Sequence, residues 1–320
     1  MTVSTAPSSD PSTAVAERPV DGNPFDLSDD DAYAAWRAKK LAAYPVTDKD
    51  LIVRIADLAD PQEHELPSLR DTCARFNMAI YQSPPESGKA ELVSFAEHLG
   101  LRRLDGTLCT APDRITELTV AEGGQAGEYI PYTDRPLSWH TDGYYNELSA
   151  TVRAVVLHCR QAAVTGGVNE LLDHEIAYIR LRDANPSYIE ALQRPGALTI
   201  PANTTGGEVI RAAQTGPVFS VSDGHLHMRF TARKRYAEWA DDPMTAAARS
   251  HLMAVLEGGD PMIVRHRLQP GQGLICNNVL HNRSGFTDDE SADRQRLIYR
   301  ARYYDRISAN NGNAEGAAVK

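Results

Sequence analysis

Two polar residues, His140 and Asp142, stand two positions apart in the aromatic-rich segment WHTDGYYN, residues 139–146. On a β-strand, residues i and i+2 point to the same face, so this imidazole and this carboxylate can reach one point in space. Such a pair can bind a metal ion, and an Fe(II) site of the two-His-one-carboxylate type needs one more histidine. A polar pair on a half-buried strand is the alternative, and a single His-x-Asp does not decide between the two.

The best candidate for the third ligand is His281, in the segment LICNNVLHNRSGF, residues 274–286. We expect one strand to run through LICNNVLH from the preceding PGQG turn and to end in polar residues. A surface histidine at a strand end is the alternative. Zinc would accept the same three ligands and could support hydrolysis instead of redox chemistry.

The segment RQRLIYRARYY, residues 294–304, predicts a strand with a cationic face. Strict alternation separates two sets of side chains: Arg296, Ile298, Arg300 and Arg302 on one face, and Leu297, Tyr299, Ala301 and Tyr303 on the other. A guanidinium binds a carboxylate through two parallel hydrogen bonds, so Arg296 and Arg300 could hold a dicarboxylate inside a pocket. For Arg302 we expect a position facing solvent.

Composition places the chain among ordinary globular proteins. It has 320 residues, 42% of them hydrophobic and 24% charged, and a formal net charge of -10. This charge disfavours nucleic acid and anionic lipid as partners. The cysteines, which we expect to be reduced and mostly buried, lack metal-ligand or disulfide spacing. They are Cys73, Cys109, Cys159 and Cys276. We expect a cytoplasmic protein without a membrane helix.

The order of elements predicts a mainly β protein with peripheral helices. Helical signals dominate near the front, and many short strands with Gly/Pro turns follow Ala150, which favours a sandwich. We expect one domain over residues 25–308, with a helical insertion around residues 172–195. The flanking residues 1–24 and 309–320 are expected to be flexible tails.

Three motifs in order carry a family resemblance: Trp139-His140-Thr141-Asp142, the distant His281, and Arg296-Leu297-Ile298-Tyr299-Arg300-Ala301. Together they resemble the taurine dioxygenase-like (TauD/TfdA) family over roughly Phe76 to Asp305. The resemblance implies a double-stranded β-helix, the jelly roll of clavaminate synthase-like enzymes. It also implies an enzyme that uses Fe(II), the co-substrate 2-oxoglutarate and O2.

Carried over by position, the resemblance implies a role for each matching residue. His140, Asp142 and His281 look like the catalytic iron ligands, and Arg296 looks like the partner of the distal carboxylate of 2-oxoglutarate. Arg300 matches the position that holds the substrate anion in taurine dioxygenase.

Other positions match the family pattern less directly. The pair Gly166-Gly167 resembles the Gly-Gly-Asp-Thr stretch, in which the Thr binds 2-oxoglutarate. Asn169 stands in that Thr position here, and Thr165 is a second candidate for the same contact. The loop of residues 282–293 is longer and more acidic than in taurine dioxygenase and could shape substrate entry.

The aromatic residues beside the pair are candidates for contact with substrate. Trp139, Tyr144 and Tyr145 are expected to line the pocket and to contribute to the core. A cage for a quaternary ammonium group, as in a betaine, is the alternative for the same three side chains.

The expected activity is hydroxylation of an aliphatic C–H in a small anionic substrate such as a sulfonate, a carboxylate or an amino-acid-like compound. Succinate and CO2 would be the co-products. The alternatives are a non-catalytic jelly-roll binding module and a zinc hydrolase with the same His/Asp/His ligands. A small molecule is the expected partner, and we expect a homo-oligomer, either a dimer or a tetramer.

A second histidine pair, His225 and His227, also has i, i+2 spacing, but no third ligand accompanies it. We expect these two to be solvent-facing or hydrogen-bonded strand residues. His266 is expected to be a hydrogen-bonded core or interface residue.

Overall fold

The computed structural model describes residues 22–44, 46–106, 112–121, 129–289 and 295–307. Within these ranges six α-helices flank the β-structure. They are α1 (Asp30–Ala42), α2 (Glu65–Phe76), α3 (Lys89–His98), α4 (His174–Ala184), α5 (Pro186–Gln193) and α6 (Pro243–Glu257). Most residues of the two predicted tails lie outside the described ranges, and so does Cys109.

Local signals in the sequence explain where several helices begin. The side chain of Asp29 accepts a hydrogen bond from the backbone N–H of Ala32 and caps α1. Asp242 caps α6 in the same way, and Pro243 occupies the first turn, where a missing N–H costs nothing. Helix α2 ends at Asn77, which adopts the left-handed conformation common at helix C-termini.

Six strands form the larger sheet, in the order β1-β2-β16-β5-β19-β3. Their bounds are β1 (Ile52–Arg54), β2 (Met78–Gln82), β3 (Thr116–Leu118), β5 (Ala154–Gln161), β16 (Gln272–Cys276) and β19 (Leu297–Tyr303). Only β1 and β2 pair in parallel. The other pairs, β16 with β2 and β5 and β19 with β5 and β3, are antiparallel.

Four strands form the second, antiparallel sheet, in the order β15-β7-β17-β4. Their bounds are β4 (Leu137–His140), β7 (Asn169–Leu172), β15 (Val264–His266) and β17 (Leu280–Arg283). Along the chain the strands of the two sheets are interleaved: β4, β7 and β15, and β17 of the second sheet are separated by β5 and β16 of the larger sheet, and β19 follows. This crossing of the chain between two sheets is the double-stranded β-helix that the resemblance implies, so the predicted fold class is confirmed.

The remaining strands form small antiparallel sheets around the two large ones. They are β6 (Thr165–Gly166), β8 (Leu198–Ile200), β9 (Asn203–Thr205), β10 (Glu208–Arg211), β11 (Gln214–Gly216), β12 (Phe219–Ser222), β13 (His225–Met228), β14 (Glu238–Trp239) and β18 (Phe286–Thr287). Strands β12 and β13 form a hairpin, with Asp223 and Gly224 in its turn.

The larger sheet is covered on both faces. Residues such as Tyr81, Val156 and Tyr303 pack with α2 and α3 in one hydrophobic cluster. On the opposite face, residues such as Ile80 and Ile298 belong to the main core, which also contains side chains from α4, α5 and α6. A strand in the middle of this sheet therefore has no face open to water.

Two local predictions were wrong. The segment LICNNVLH is not one strand, because β16 ends at Cys276 and β17 starts at Leu280 in the other sheet. Arg302 does not face solvent: its side chain is 4% exposed and forms an ion pair with Asp105. Arg302 shares the inner face of β19 with Ile298, and both faces of that strand are buried.

Other predictions concern single residues. Cys73, Cys159 and Cys276 are buried free thiols. His225 is exposed and His227 is half-buried on β13. His266 has hydrogen-bond partners on both ring nitrogens, Asp48 and Gln272. The division into one domain with two tails stays a prediction.

Candidate active site

The three predicted metal ligands meet in one place. His140 is the last residue of β4, Asp142 follows it by two positions, and His281 lies on β17. The register of β4 and β17 places His281 directly opposite His140. One ligand atom from each of the three residues lies within 4.8 Å of the others, and this is the cluster of metal-binding type among the described residues.

Both imidazoles present the same nitrogen to the cluster. Nδ1 of His140 lies 2.9 Å from the carbonyl oxygen of Ser138, and Nδ1 of His281 lies 2.9 Å from that of Val279. A carbonyl oxygen only accepts hydrogen bonds, so Nδ1 is the protonated nitrogen in each neutral ring. The Nε2 lone pairs therefore remain available, and the carbonyls fix the orientation of both rings as in many metal sites.

His281 is uncharged at neutral pH. Burial, together with the neighbouring His140 and the Arg300 cation, lowers the pKa of His281 to about 4. Asp142 and the carbonyl of Val279 act in the opposite direction but do not prevent this shift. A neutral imidazole is the form that binds metal ions.

Asp142 is buried and ionised. Burial alone would raise the pKa of its carboxyl group, but Arg300, His140, Arg302 and His281 lower this pKa well below its usual range. Oδ1 of Asp142 lies 3.4 Å from Nη1 of Arg300 and 3.7 Å from Nε2 of His140. Its Oδ2 is buried without a hydrogen-bond partner among the described residues.

These observations show that the residues fit a divalent metal ion. A buried carboxylate oxygen without a partner is costly, and a cation would satisfy it. Two imidazole nitrogens and one carboxylate form the donor set of mononuclear non-haem iron sites, which leave open positions for co-substrate and oxygen.

Arg296 is a buried cation without an ion-pair partner among the described residues, four residues before Arg300, which contacts Asp142. Burial lowers the pKa of Arg296 to about 10, whereas Cys159 and Asp288 act in the opposite direction. No described carboxylate lies within ion-pair distance of Arg296; its guanidinium instead packs 4.9 Å from the ring centroid of Phe286. A carboxylate ligand would neutralise this buried charge.

Arg283 is a second buried cation, beside the same Phe286 ring, and it was not among the site residues expected from the sequence. It follows His281 by two residues on β17, so both side chains point to the same face. Its Nη2 donates to the carbonyl oxygens of Thr133 and Arg135, and its guanidinium lies 4.7 Å from the ring of Phe286. The i, i+2 spacing from His281 could have indicated its position.

The two candidates for the second 2-oxoglutarate contact have different environments. Asn169 is buried at the start of β7, opposite Arg283 on β17. Thr165 is exposed on β6, and its hydroxyl group lies 2.5 Å from that of Thr287 on β18. Because its side chain is buried on the strand beside His281, Asn169 is the better placed of the two.

Tyr144 and Tyr145 form an aromatic pair beside the metal ligands. Their ring centroids lie 5.2 Å apart, and the ring of Tyr144 lies 6.4 Å from that of His140. The hydroxyl of Tyr145 accepts a hydrogen bond from Arg302. Trp139 precedes His140 on β4, so the two side chains point to opposite faces of the strand. The side chain of Trp139 belongs to the main core.

Fold and site together define a class of protein: the 2-oxoglutarate-dependent non-haem iron dioxygenases. The model of the "Taurine catabolism dioxygenase TauD, TfdA family" matches residues 40–302, and the chain belongs to this family. Enzymes of this class use Fe(II) and 2-oxoglutarate, which are the cofactors predicted from the sequence, and the His-Asp-His cluster is a suitable iron site. The binding-module and zinc-hydrolase alternatives do not agree with this membership.

Two similar proteins have the name uridine-5'-phosphate dioxygenase. One, from Amycolatopsis sp, is 31% identical over 178 residues, which span 54% of this chain and 62% of that protein. The other, from Streptomyces sp, is 30% identical over 241 residues, which span 71% of this chain and 85% of that protein. The chain thus matches less than two thirds of the first relative and most of the second.

Solved structures show the same fold at lower identity. An asparagine oxygenase in complex with Fe(II), 2S,3S-3-hydroxyasparagine and succinate is 18% identical, with a TM-score of 0.55 over 89% of this chain and 86% of that chain. The non-haem iron oxygenase OrfP, in complex with Fe, succinate and (3R,4R)-dihydroxy-L-Arg, is 14% identical, with a TM-score of 0.58. The OrfP comparison covers 77% of this chain and 82% of that chain.

None of the helices in the described part of the chain has both the length and the apolar character that a membrane crossing requires.

Proposed function

We propose that this protein is an iron dioxygenase that oxidises a nucleoside 5'-phosphate, with uridine-5'-phosphate as the first compound to test. His140, Asp142 and His281 hold Fe(II), and Arg296 binds the distal carboxylate of 2-oxoglutarate. The observation that carries the proposal is the His-Asp-His cluster, together with Arg296, which is buried four residues before Arg300 and has no ion-pair partner among the described residues.

Each residue around the metal has a separate task. The Nε2 atoms of His140 and His281 and the carboxylate of Asp142 bind the ion, while Arg296 orients 2-oxoglutarate through a charge-assisted pair. Asn169 donates its amide to the same co-substrate. When bound, Fe(II) and 2-oxoglutarate supply with O2 the oxidising power for C–H hydroxylation, and succinate and CO2 are released.

Two arginines near Tyr144 support an anionic substrate. Burial raises the pKa of Tyr144, whereas the nearby cations Arg233 and Arg211 lower it. Arg211 donates to the backbone carbonyl oxygens of Pro201, Tyr145 and Ala212, and burial lowers its pKa. Neither Arg211 nor Arg233 has a carboxylate partner among the described residues, and such cations suit a phosphate group.

The aromatic pair supports a nucleotide over a simple sulfonate. Tyr144 lies 6.4 Å from the ring of His140 and packs edge-on with Tyr145, and a pyrimidine base can stack on an aromatic side chain such as Tyr144. The names of the two relatives point to the same substrate. A phosphate ester is anionic, as the sequence predicts for the substrate, but it differs from the sulfonates and carboxylates expected from the sequence.

The test is a comparison of substrates with anaerobically reconstituted enzyme. Uridine-5'-phosphate, uridine, cytidine-5'-phosphate, ribose-5-phosphate and taurine are supplied separately with Fe(II), 2-oxoglutarate and O2, and succinate and inorganic phosphate are measured. We expect succinate formation to be fastest with uridine-5'-phosphate and much slower with uridine. Phosphate release would place hydroxylation on the phosphate-bearing carbon, since the hydroxylated ester collapses to an aldehyde.

Faster succinate formation with taurine than with any nucleotide would contradict the substrate proposal. Failure of the protein to bind Fe(II) and 2-oxoglutarate would contradict the assignment of the site.

A further inference from the structure

The side chain of Asn278 pairs with the backbone of the metal-ligand residue Asp142. Oδ1 of Asn278 accepts a hydrogen bond from the Asp142 N–H at 2.7 Å, and Nδ2 donates to the Asp142 carbonyl oxygen at 2.9 Å. The same Nδ2 donates to the carbonyl oxygen of Val152 at 2.7 Å. The whole residue is 1% exposed, so none of these bonds competes with bulk water.

This pairing replaces a strand neighbour that Asp142 lacks. Strand β4 ends at His140, and the N–H of Thr141 already donates to the carbonyl oxygen of Phe230. Beyond that point the peptide groups of Asp142 are buried and need partners, because an unpaired buried peptide group is costly. The carboxamide presents an acceptor and a donor on the same side, as the C=O and N–H of one residue in an antiparallel strand do, and its second N–H donates to Val152. Asn278 therefore acts as a short piece of neighbouring strand.

The backbone of Asn278 explains why an asparagine stands there. Its φ of 53° lies in the left-handed region, which asparagine tolerates better than most side chains. It lies in the turn between β16 and β17, where the chain crosses from one sheet to the other, three residues before His281. Glycine would fit this turn but could not bond to Asp142.

The segment after Asp142 is also held in place. Gly143 has a φ of 67°, and a Cβ there would lie 2.5 Å from Cγ2 of Val152. Val152 thus packs against the turn that follows the ligand, while its carbonyl oxygen accepts from Asn278. The buried side-chain amide of Asn278 thus connects three places: the turn before His281, the backbone of Asp142, and Val152, which lies two residues before β5.

We propose that Asn278 is a positioning residue that fixes the separation of Asp142 and His281 and thereby sets the geometry of the metal site. It touches neither metal nor substrate. The inference rests on the proposed function, since it assumes that Asp142 and His281 bind the same ion. Outer partners that orient ligands typically contribute about 10–100-fold to metal affinity.

The experiment compares two neighbouring asparagines. Asn278→Asp keeps the size of the side chain and the acceptor for the Asp142 N–H, but it removes the donor and places a carboxylate against two carbonyl oxygens. The matched control is Asn277→Asp. Asn277 is 2% exposed, donates to Oδ1 of Asn77 at 3.2 Å and accepts from the N–H of Ile307 at 3.0 Å, and has no hydrogen bond to Asp142.

Co(II) is titrated into metal-free wild type and both variants, and affinity and the visible absorption spectrum are recorded with the melting temperature. We expect Asn278→Asp to weaken Co(II) binding by about 10–100-fold and to change the spectrum. Asn277→Asp should lower the melting temperature while its folded fraction keeps the wild-type affinity and spectrum. If Asn278→Asp does not fold, Asn278→Gly serves instead, because it retains the backbone conformation.

A second readout needs no metal. Hydrogen exchange of the Asp142 amide in the metal-free protein should be faster in Asn278→Gly, which removes the acceptor of that amide, than in Asn277→Asp at equal global stability. Wild-type affinity and spectrum in folded Asn278→Asp, together with wild-type exchange of the Asp142 amide in Asn278→Gly, would overturn the positioning role alone. Absence of Co(II) and Fe(II) binding by the wild type would overturn the proposed function and the positioning role with it.

Discussion

The imidazoles of His140 and His281 face each other across paired strands, with ring centroids 4.2 Å apart. The register of β4 and β17 puts the two residues directly opposite, although 140 positions separate them in the chain. Asp142 completes the cluster from the segment that follows β4. The metal site therefore depends on the pairing of two distant strands.

Replacement of one ligand tests this arrangement directly. We expect His281→Ala to weaken Fe(II) binding by more than the roughly 100-fold that loss of an outer partner can cost. Isothermal titration under anaerobic conditions measures the affinity. His225→Ala is the control, because His225 is exposed on β13, in a His-x-His pair away from the three ligands. Equal affinities of the two variants would remove His281 from the site.

Arg296→Leu should weaken binding of 2-oxoglutarate. Loss of a buried charge pair costs about 2 kcal/mol or more, which corresponds to a roughly 30-fold higher KM for 2-oxoglutarate. The KM for the primary substrate should change much less. Arg265→Leu is a suitable control, because that arginine is 57% exposed and pairs with Glu170. An unchanged KM in Arg296→Leu would contradict its assigned role.

Asn169 and Thr165 can be separated by single substitutions. Asn169→Ala removes a buried amide next to the co-substrate region and should raise the KM for 2-oxoglutarate several-fold, corresponding to about 1 kcal/mol. Thr165→Ala removes an exposed hydroxyl that already bonds to Thr287 and should have little effect. Steady-state kinetics with varied 2-oxoglutarate distinguish the two, and the reverse order of effects would favour Thr165.

Tyr144→Ala should impair binding of the nucleotide while co-substrate binding is retained. Stacking of a base on an aromatic ring contributes about 1–3 kcal/mol, so we expect the KM for uridine-5'-phosphate to rise by roughly 10-fold. Tyr188→Ala serves as control, because Tyr188 lies on α5 and packs beside His251. Equal loss with uridine-5'-phosphate in both variants would argue against a stacking role for Tyr144.

A stability prediction concerns Lys40, which is buried at the end of α1. Its ammonium group lies 2.5 Å from Oδ2 of Asp173 and 2.6 Å from Oε2 of Glu175. Lys40→Met would leave two buried carboxylates without their cation and should lower the free energy of unfolding by about 3–5 kcal/mol. Urea denaturation measures this change. Lys39→Met, on the exposed face, should change the stability by less than about 0.5 kcal/mol.

Local patterns in the sequence were sufficient for much of the fold. Helix α1 follows from the capping Asp29 and the acids of its first turn, and the β12–β13 hairpin follows from its turn residues. Alternation grouped Arg296 with Arg300, and both side chains are buried. These features depend on neighbours within a few residues, which a sequence displays directly. Asp142, in contrast, lies beyond the end of β4, so its approach to His140 depends on the turn after that strand.

Tertiary structure decided how distant parts of the chain meet. Arg302 was expected to face solvent, yet packing on both faces of β19 buries it against Asp105 and Tyr145. The break between β16 and β17 was missed, because a run such as LICNNVLH does not show which sheet each end will join. Asn278 sits in that break. Its bonds to Asp142 exist only because two sheets meet at this corner, and no local pattern specifies such a meeting.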